Sequence, residues 1–108
     1  MPMELSIVIP IYNESAVINE LYARLKKMLD MRGASYEIIF VNDCSRDGSL
    51  ALIKKLASDD ITVKYIDLKR NFGQTAALAA GFDYATGDII VSMDGDLQHL
   101  PEDIPMLL

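Results

Sequence analysis

The chain is poor in several features that would have named its class at once. It has a single cysteine, Cys44, so neither an internal disulfide framework nor a paired-cysteine metal site can be built. One thiol fits, weakly, a reducing compartment. Basic residues are outnumbered, ten Lys and Arg against sixteen Asp and Glu, for a formal net charge of −6. That balance argues against a nucleic-acid partner, which needs a basic face. The N-terminus lacks a basic segment followed by a long apolar run, so it does not read as a secretory signal. No apolar stretch approaches the roughly 20 residues that span a bilayer, and the chain reads as soluble. The first strand is not followed by G-x-G-x-x-G, so a dinucleotide pyrophosphate would lack its glycine-lined seat. G-x-x-x-x-G-K-[ST] is absent too, which excludes the P-loop nucleotidases. His99 has no companion at metal-ligand spacing and reads as a surface residue beside the site. It also leaves Cys44 without a second histidine to activate it, so Cys44 reads as a loop residue.

What is present is enough for one compact unit: 108 residues, about half of them hydrophobic (51%). Apolar runs alternate with helical spacing. Leu5–Ile11 reads as a strand. In the span 15–31, Val17, Ile18, Leu21, Leu25, Met28 and Leu29 fall on one helical face, and Gly33 supplies a stop. A second strand is expected over 36–41, a helix over 47–57, a third strand over 61–68, a helix of small residues over 73–85 and a fourth strand over 88–93. Pro101 looks like the first turn of a further helix. Strands apolar on both faces and separated by helices imply a parallel sheet covered by helices, with right-handed crossovers. The stop at Leu107-Leu108, inside an apolar helix start, reads as the truncated end of an N-terminal piece of a longer protein. No repeat, linker or low-complexity segment is visible.

Ligands of such sheets bind beyond the carboxyl ends of the strands. Four polar segments fall there: Pro10-Ile-Tyr-Asn-Glu14, Asn42-Asp-Cys-Ser-Arg-Asp-Gly48, Lys69-Arg-Asn-Phe-Gly73 and Asp94-Gly-Asp-Leu-Gln98. The sharpest is Asp94-Gly95-Asp96. Two carboxylates two residues apart at a strand end can both face one hard cation, Mg2+ or Mn2+, which keeps coordination places for phosphates. Gly95 lets the backbone turn and a ligand approach. The bland alternative is a solvated acidic turn. Asp43 can accept hydrogen bonds from a nucleotide's base or ribose, whereas Ser45 or Asp47 reads as a cap of the next helix. Glu14 is either a ligand contact or a first-turn acid favoured by the helix dipole. Tyr12 either stacks on a base or fills the edge of the core. The helix carrying Ala76-Ala-Leu-Ala-Ala-Gly81 is expected to pack closely on the sheet.

With these residues in view the chain resembles the family-two glycosyltransferases of GT-A fold, in particular the polyprenyl-phosphate group that includes the dolichyl-phosphate mannosyltransferases. The motifs are Ile7-Val-Ile-Pro-Ile-Tyr-Asn-Glu14, Val41-Asn-Asp-Cys-Ser-Arg-Asp-Gly-Ser49, Arg70-Asn-Phe-Gly73 with the small-residue helix, Ala85-Thr-Gly-Asp-Ile-Ile-Val-Ser-Met-Asp-Gly-Asp-Leu-Gln98, and Pro101-Glu-Asp-Ile-Pro105. Together they cover essentially the whole chain. The resemblance implies a Rossmann-like α/β fold with helices on both faces of a mostly parallel sheet and the strand order 3-2-1-4. Residues 1–108 would be the nucleotide-sugar-binding half of the catalytic domain. It further implies a UDP-sugar or GDP-sugar donor contacted by Pro10, Tyr12, Glu14, Asp43, Gly73, Asp94 and Gly95. Asp94, Asp96 and Gln98 would hold the metal. Sugar transfer would proceed with inversion to a lipid phosphate, at the cytoplasmic face of a membrane. No catalytic residue is assigned, Asp96 being the nearest candidate. The chain departs from the pattern where Cys44 replaces a common glycine and Gly95 a common alanine. The acceptor-side half is absent, so the chain alone is expected not to turn over. Its fourth-strand edge, over 88–93, is expected to be open and able to pair with a second copy. The alternatives are a haloacid-dehalogenase-type phosphatase, a receiver-type signalling domain and a nucleotide-binding module without catalysis.

Overall fold

The computed structural model describes residues 4–33 and 35–93. Four strands and three helices alternate: β1 (Leu5–Ile11), α1 (Ser15–Arg32), β2 (Tyr36–Asp43), α2 (Ser49–Asp59), β3 (Val63–Leu68), α3 (Gln74–Tyr84) and β4 (Ile89–Ser92). The strands form one all-parallel sheet in the order β3-β2-β1-β4. The first strand matches its expected bounds, and α1 runs one residue past its own, to stop where Gly33 turns left-handed (φ 73°).

Alternation along the strands divides the core in two. Leu5, Ile7, Ile9 and Ile11 of β1, with Ile38 and Phe40 of β2, meet Ile18, Leu21, Leu25 and Leu29 of α1 and Ile53 of α2. On the opposite face Val8, Ile39 and Val41 meet Ala77 of α3. The small-residue helix lies close to the sheet, as expected. A Cβ built on Gly81 would clash with Val8 Cγ1 and lie 3.2 Å from Val41 Cγ2, so only glycine fits there.

Three element ends move for identifiable reasons. The third strand starts at Val63 because Asp60 Oδ1 accepts the Thr62 N–H (2.9 Å) and hydroxyl (2.7 Å), closing a turn that leaves Ile61 exposed. The second strand continues through Asn42 and Asp43, which pair with Asp67 and Leu68 of β3. The second helix starts at Ser49 because Asp47 holds its end from outside the helix, accepting the Ser49 N–H at 2.9 Å.

Two positions bear on β4. The Met93 N–H donates to the Val8 carbonyl (3.1 Å). The next residue of β1 facing β4 is Pro10, which has no N–H to extend that ladder. Ile89 and Ile90 are exposed at 49% and 41%, and among the described residues no strand pairs with the outer side of β4.

Candidate functional site

The strand order places a switch point between β1 and β4. α1 leaves β1 on one face of the sheet, and α3 reaches β4 across the other. Crevices of this kind, at the carboxyl ends of the strands, are where open α/β sheets hold ligands. The loops 12–14, 44–48 and 69–73 all lie at this edge.

The first two loops are locked together through the main chain. The Asn13 N–H donates to Ser45 Oγ (3.0 Å), and the Arg46 N–H donates to Asn13 Oδ1 (2.8 Å). The Glu14 N–H donates to Ser49 Oγ (3.1 Å). Asp47 spans both helix starts, taking the Ser15 N–H on Oδ2 (3.1 Å) and the Ser49 N–H on Oδ1. Burial disfavours its charge, but the hydrogen bonds from Ser49 and Ser15 outweigh that and hold the carboxyl down at about 2. Asp47 thus caps two helices, where its spacing suggested one. Ser45 serves the loop before α1, not α2. Both partnerships join residues some thirty positions apart, which local spacing does not encode.

Asp43 is buried at the end of β2. Its carboxylate accepts the Phe72 N–H on Oδ1 (2.8 Å) and the Gly73 N–H on Oδ2 (2.9 Å). It therefore fixes the 69–73 loop at the start of α3, a favourable place for a negative charge. Each oxygen keeps a lone pair for a further donor. Gly73 takes a left-handed φ of 93°, open to any glycine and strained for other residues. Asn42 Nδ2 donates to Asp67 Oδ1 (3.0 Å), and Asn42 Oδ1 accepts the Ser45 N–H.

Two non-glycine residues here adopt left-handed backbone, Asn13 (φ 54°) and Cys44 (φ 57°). Asparagine tolerates that conformation, whereas cysteine has no special means to do so. The glycine common at position 44 in the resembling family thus has a physical reason in this chain. Tyr12 presents a half-exposed ring (47%) at the same edge, Pro10 is half-buried, and Arg70 lies over the Phe72 ring at 5.1 Å. Asp94, Gly95, Asp96 and Gln98, and His99 beside them, lie outside the described residues. The strand that leads to them ends at this edge. Among the described residues no group of three or more His, Cys, Asp or Glu side chains could hold a metal ion.

One feature of the sheet had no forecast. Glu37, the one charged residue in the 36–41 run of β2, is fully buried at the amino end, opposite the candidate site. Its Oε1 takes Lys64 Nζ at 2.7 Å. Its Oε2 takes Ser6 Oγ (2.6 Å), the Thr86 N–H (2.8 Å) and Thr86 Oγ1 (3.1 Å). Burial works against the charge, yet the Lys64, Ser6 and Thr86 bonds together hold the carboxyl down at about 2. The signal was available: one acid inside a buried-type strand must find partners.

The fold and its switch-point edge define an open parallel α/β domain of the kind that holds ligands at the carboxyl ends of its strands, and comparison with known proteins sharpens that class. The glycosyl transferase family 2 model matches residues 6–108, so the chain belongs to that family. It is 48% identical over 100 residues to the uncharacterized glycosyltransferase YkcC of Bacillus subtilis, covering 93% of this chain and 31% of that protein. It is 45% identical over 104 residues to the undecaprenyl-phosphate 4-deoxy-4-formamido-L-arabinose transferase of Shewanella sediminis, covering 95% and 31%. The chain thus spans just under a third of the length of these curated relatives. Among solved structures, S. aureus TarS 1-349 in complex with UDP-GlcNAc superposes with a TM-score of 0.77 at 28% identity, over 87% of this chain and 27% of that one. The mannosyltransferase PcManGT of Pyrobaculum calidifontis, in complex with GDP-Man and Mn2+, shares the fold at a TM-score of 0.80 and 23% identity, over 95% and 32%. The family assignment leaves the phosphatase and receiver readings without support.

Proposed function

We propose that residues 1–108 form the nucleotide-sugar-binding part of a glycosyltransferase that passes a sugar from a UDP or GDP donor to a polyprenyl phosphate, with inversion. The observation that carries this reading is the meeting of the polar loop tips at the β1–β4 switch point. Tyr12 offers an exposed aromatic face for a base, with Pro10 and Glu14 beside it. Asp43 keeps acceptor capacity for a nucleoside while anchoring Gly73. Two relatives fit this assignment: one is named an undecaprenyl-phosphate sugar transferase, and one structural neighbour holds UDP-GlcNAc.

Asp94 and Asp96, with Gln98, are the residues proposed to hold Mg2+ or Mn2+, and Gly95 to let the diphosphate approach. All of their donors are the oxygens such a hard cation prefers. When bound, the cation would supply charge neutralisation to the diphosphate. A lipid phosphate is already ionised and needs less help from a base than a hydroxyl does. The acceptor-side groups are proposed to lie in the length of the relatives that this chain does not share. No helix among the described residues is long and apolar enough to cross a membrane. A lipid-borne acceptor sets the whole protein to work at a membrane surface, in this proposal its cytoplasmic face.

Calorimetry of the purified chain with UDP and GDP, with and without Mn2+, tests the donor half. One diphosphate should bind in a metal-dependent manner, and Asp94→Asn with Asp96→Asn should abolish the metal's contribution. Binding indifferent to Mn2+, or none, would overturn the assignment. Sugar transfer by the 108-residue chain alone would overturn the division of labour. The open edge of β4, with Ile89 and Ile90 exposed, is also proposed to pair with a second copy. Sedimentation showing only monomer at high concentration would remove that element.

A further inference from the structure

The short strand that leads to Asp94 needs something to set its register. Strand register is specified strongly where one face is buried and the other is not. β4 carries that signal only at its carboxyl end, where Val91 packs against the core and Met93 is buried, while Ile89 and Ile90, on opposite faces, are similarly exposed. A slip of one residue, about 3.3 Å along the strand, is resisted by side-chain burial only at Val91 and Met93. It would also exchange every side chain between faces.

A polar clamp meets this need. The turn between α3 and β4 is held at consecutive residues by groups of the two central strands. The Thr86 N–H and hydroxyl both bond to Glu37 Oε2, and the Gly87 N–H bonds to Ser6 Oγ at 2.8 Å. Ser6 in turn donates to Glu37 and pairs with it across β1 and β2. Gly87 lies so close to β1 that an added Cβ would sit 2.6 Å from Ser6 Oγ, 2.7 Å from the Ser6 nitrogen and 2.9 Å from the Leu5 carbonyl carbon. Two residues later the Ile89 N–H takes its place on the Glu4 carbonyl (3.0 Å), opening the β1–β4 ladder. A slipped strand would have to break these partly buried bonds and leave the fully buried Glu37 carboxylate short of donors. From this arrangement we infer that Glu37, acting with Ser6, is a positioning residue: it pins the 86–87 turn, fixes the register of β4, and so decides which side chains the strand delivers to the carboxyl edge. The functional half of this inference rests on the proposed role of Asp94 and Asp96. The register half does not.

The test uses the 15N-labelled chain. Glu37→Leu combined with Lys64→Met removes the buried acid and its cation together, leaving neither unpaired. Gly87→Ala disturbs the same turn from the other side without touching a charge. Hydrogen exchange is read at Ile89 and Met93, which report β1–β4, and at Leu5 and Ile38, which report the amino ends of β1 and β2. In both variants the β4 amides should lose protection by about tenfold or more while Leu5 and Ile38 keep theirs, a local opening and not a global one. Metal-dependent affinity for the nucleoside diphosphate should fall about ten- to hundredfold, the range seen when supports of metal ligands are removed. Metal-independent affinity should hold. Wild-type protection at Ile89 and Met93 in both variants overturns the inference. So does an equal loss at all four amides, which would make Glu37 a support of the whole sheet. Asp94→Asn with Asp96→Asn separates the two readings. It should abolish the metal-dependent affinity and leave β4 protection untouched. If it leaves affinity unchanged, the donor assignment fails while the exchange data still judge the register.

Discussion

The two edges of this sheet use carboxylates in opposite ways. At the amino edge the acids combine backbone amides with several charged or hydroxyl side-chain partners. Glu37 is fully buried among Lys64, Ser6 and Thr86. Asp60 accepts from the Tyr22 hydroxyl (2.5 Å), Lys26 (3.1 Å) and Thr62. Burial opposes the charge on Asp60, but those bonds hold its carboxyl well below the usual range, while burial and the adjacent Asp60 push the Tyr22 phenol up to about 12. At the carboxyl edge Asp47 and Asp43 chiefly hold the backbone amides of neighbouring loops. Asp47 and Asp43 arrange loops whose own side chains, Tyr12 and Arg46 among them, remain exposed. One edge is closed on itself. The other is a scaffold that positions outward-facing groups, which is what a binding edge requires.

Breaking the amino edge should cost most. Glu37→Ala leaves the Thr86 N–H without its buried acceptor and Lys64 without its partner, and should destabilise the chain by on the order of 3 kcal/mol in urea unfolding. The pH dependence follows from a depressed carboxyl. The stability Glu37 confers is fully present above its unfolded pKa, near 4.3, and is lost as pH falls toward its folded value of about 2. The gap between wild type and Glu37→Gln should therefore narrow over that window. A gap that is constant down to pH 2 would mean the charge itself contributes nothing.

The middle of the sheet comes next. Gly81→Ala forces a Cβ against Val8 and should destabilise by about 1–3 kcal/mol through overpacking. Thermal or urea unfolding measures it, and a neutral result would mean α3 can lift from the sheet without loss. At the carboxyl edge the effects should be smaller. Asp47→Ala removes a cap shared by α1 and α2 and should cost about 1 kcal/mol. A loss near that of Glu37→Ala would erase the contrast between the edges. Cys44→Gly should stabilise, by roughly 1 kcal/mol or less, because glycine takes the left-handed backbone there without strain. A destabilised variant would show that the thiol's contact with the Lys69 carbonyl, at 3.7 Å, matters more than the backbone.

What could be read from the sequence was whatever local patterning controls. The strand-helix alternation, the bounds of β1, the Gly33 stop and the close seat of α3 all follow from spacing and residue size. The parallel sheet followed from strands apolar on both faces, and the order 3-2-1-4 from family resemblance. Cross-chain partnerships were not legible. The sequence shows an acid at 47 before a helix, but not that it also serves the helix 32 residues earlier. Asp43 was expected to face a ligand. The structure shows it first holding Phe72 and Gly73, a duty that no local pattern announces. Glu37 passed unnoticed because a single acid in an apolar strand reads as a small interruption, whereas in the fold it joins three strands and a turn.

The contrast between the edges is tested most directly by titrating a nucleoside diphosphate with Mn2+ into the 15N-labelled chain and mapping the amide shifts. Movement should concentrate at 12–14, 43–47 and 69–73, with Thr62, Thr86 and Gly87 unmoved. Shifts centred on the amino edge, or none at saturating ligand, would contradict the assignment of the carboxyl edge as the one that binds.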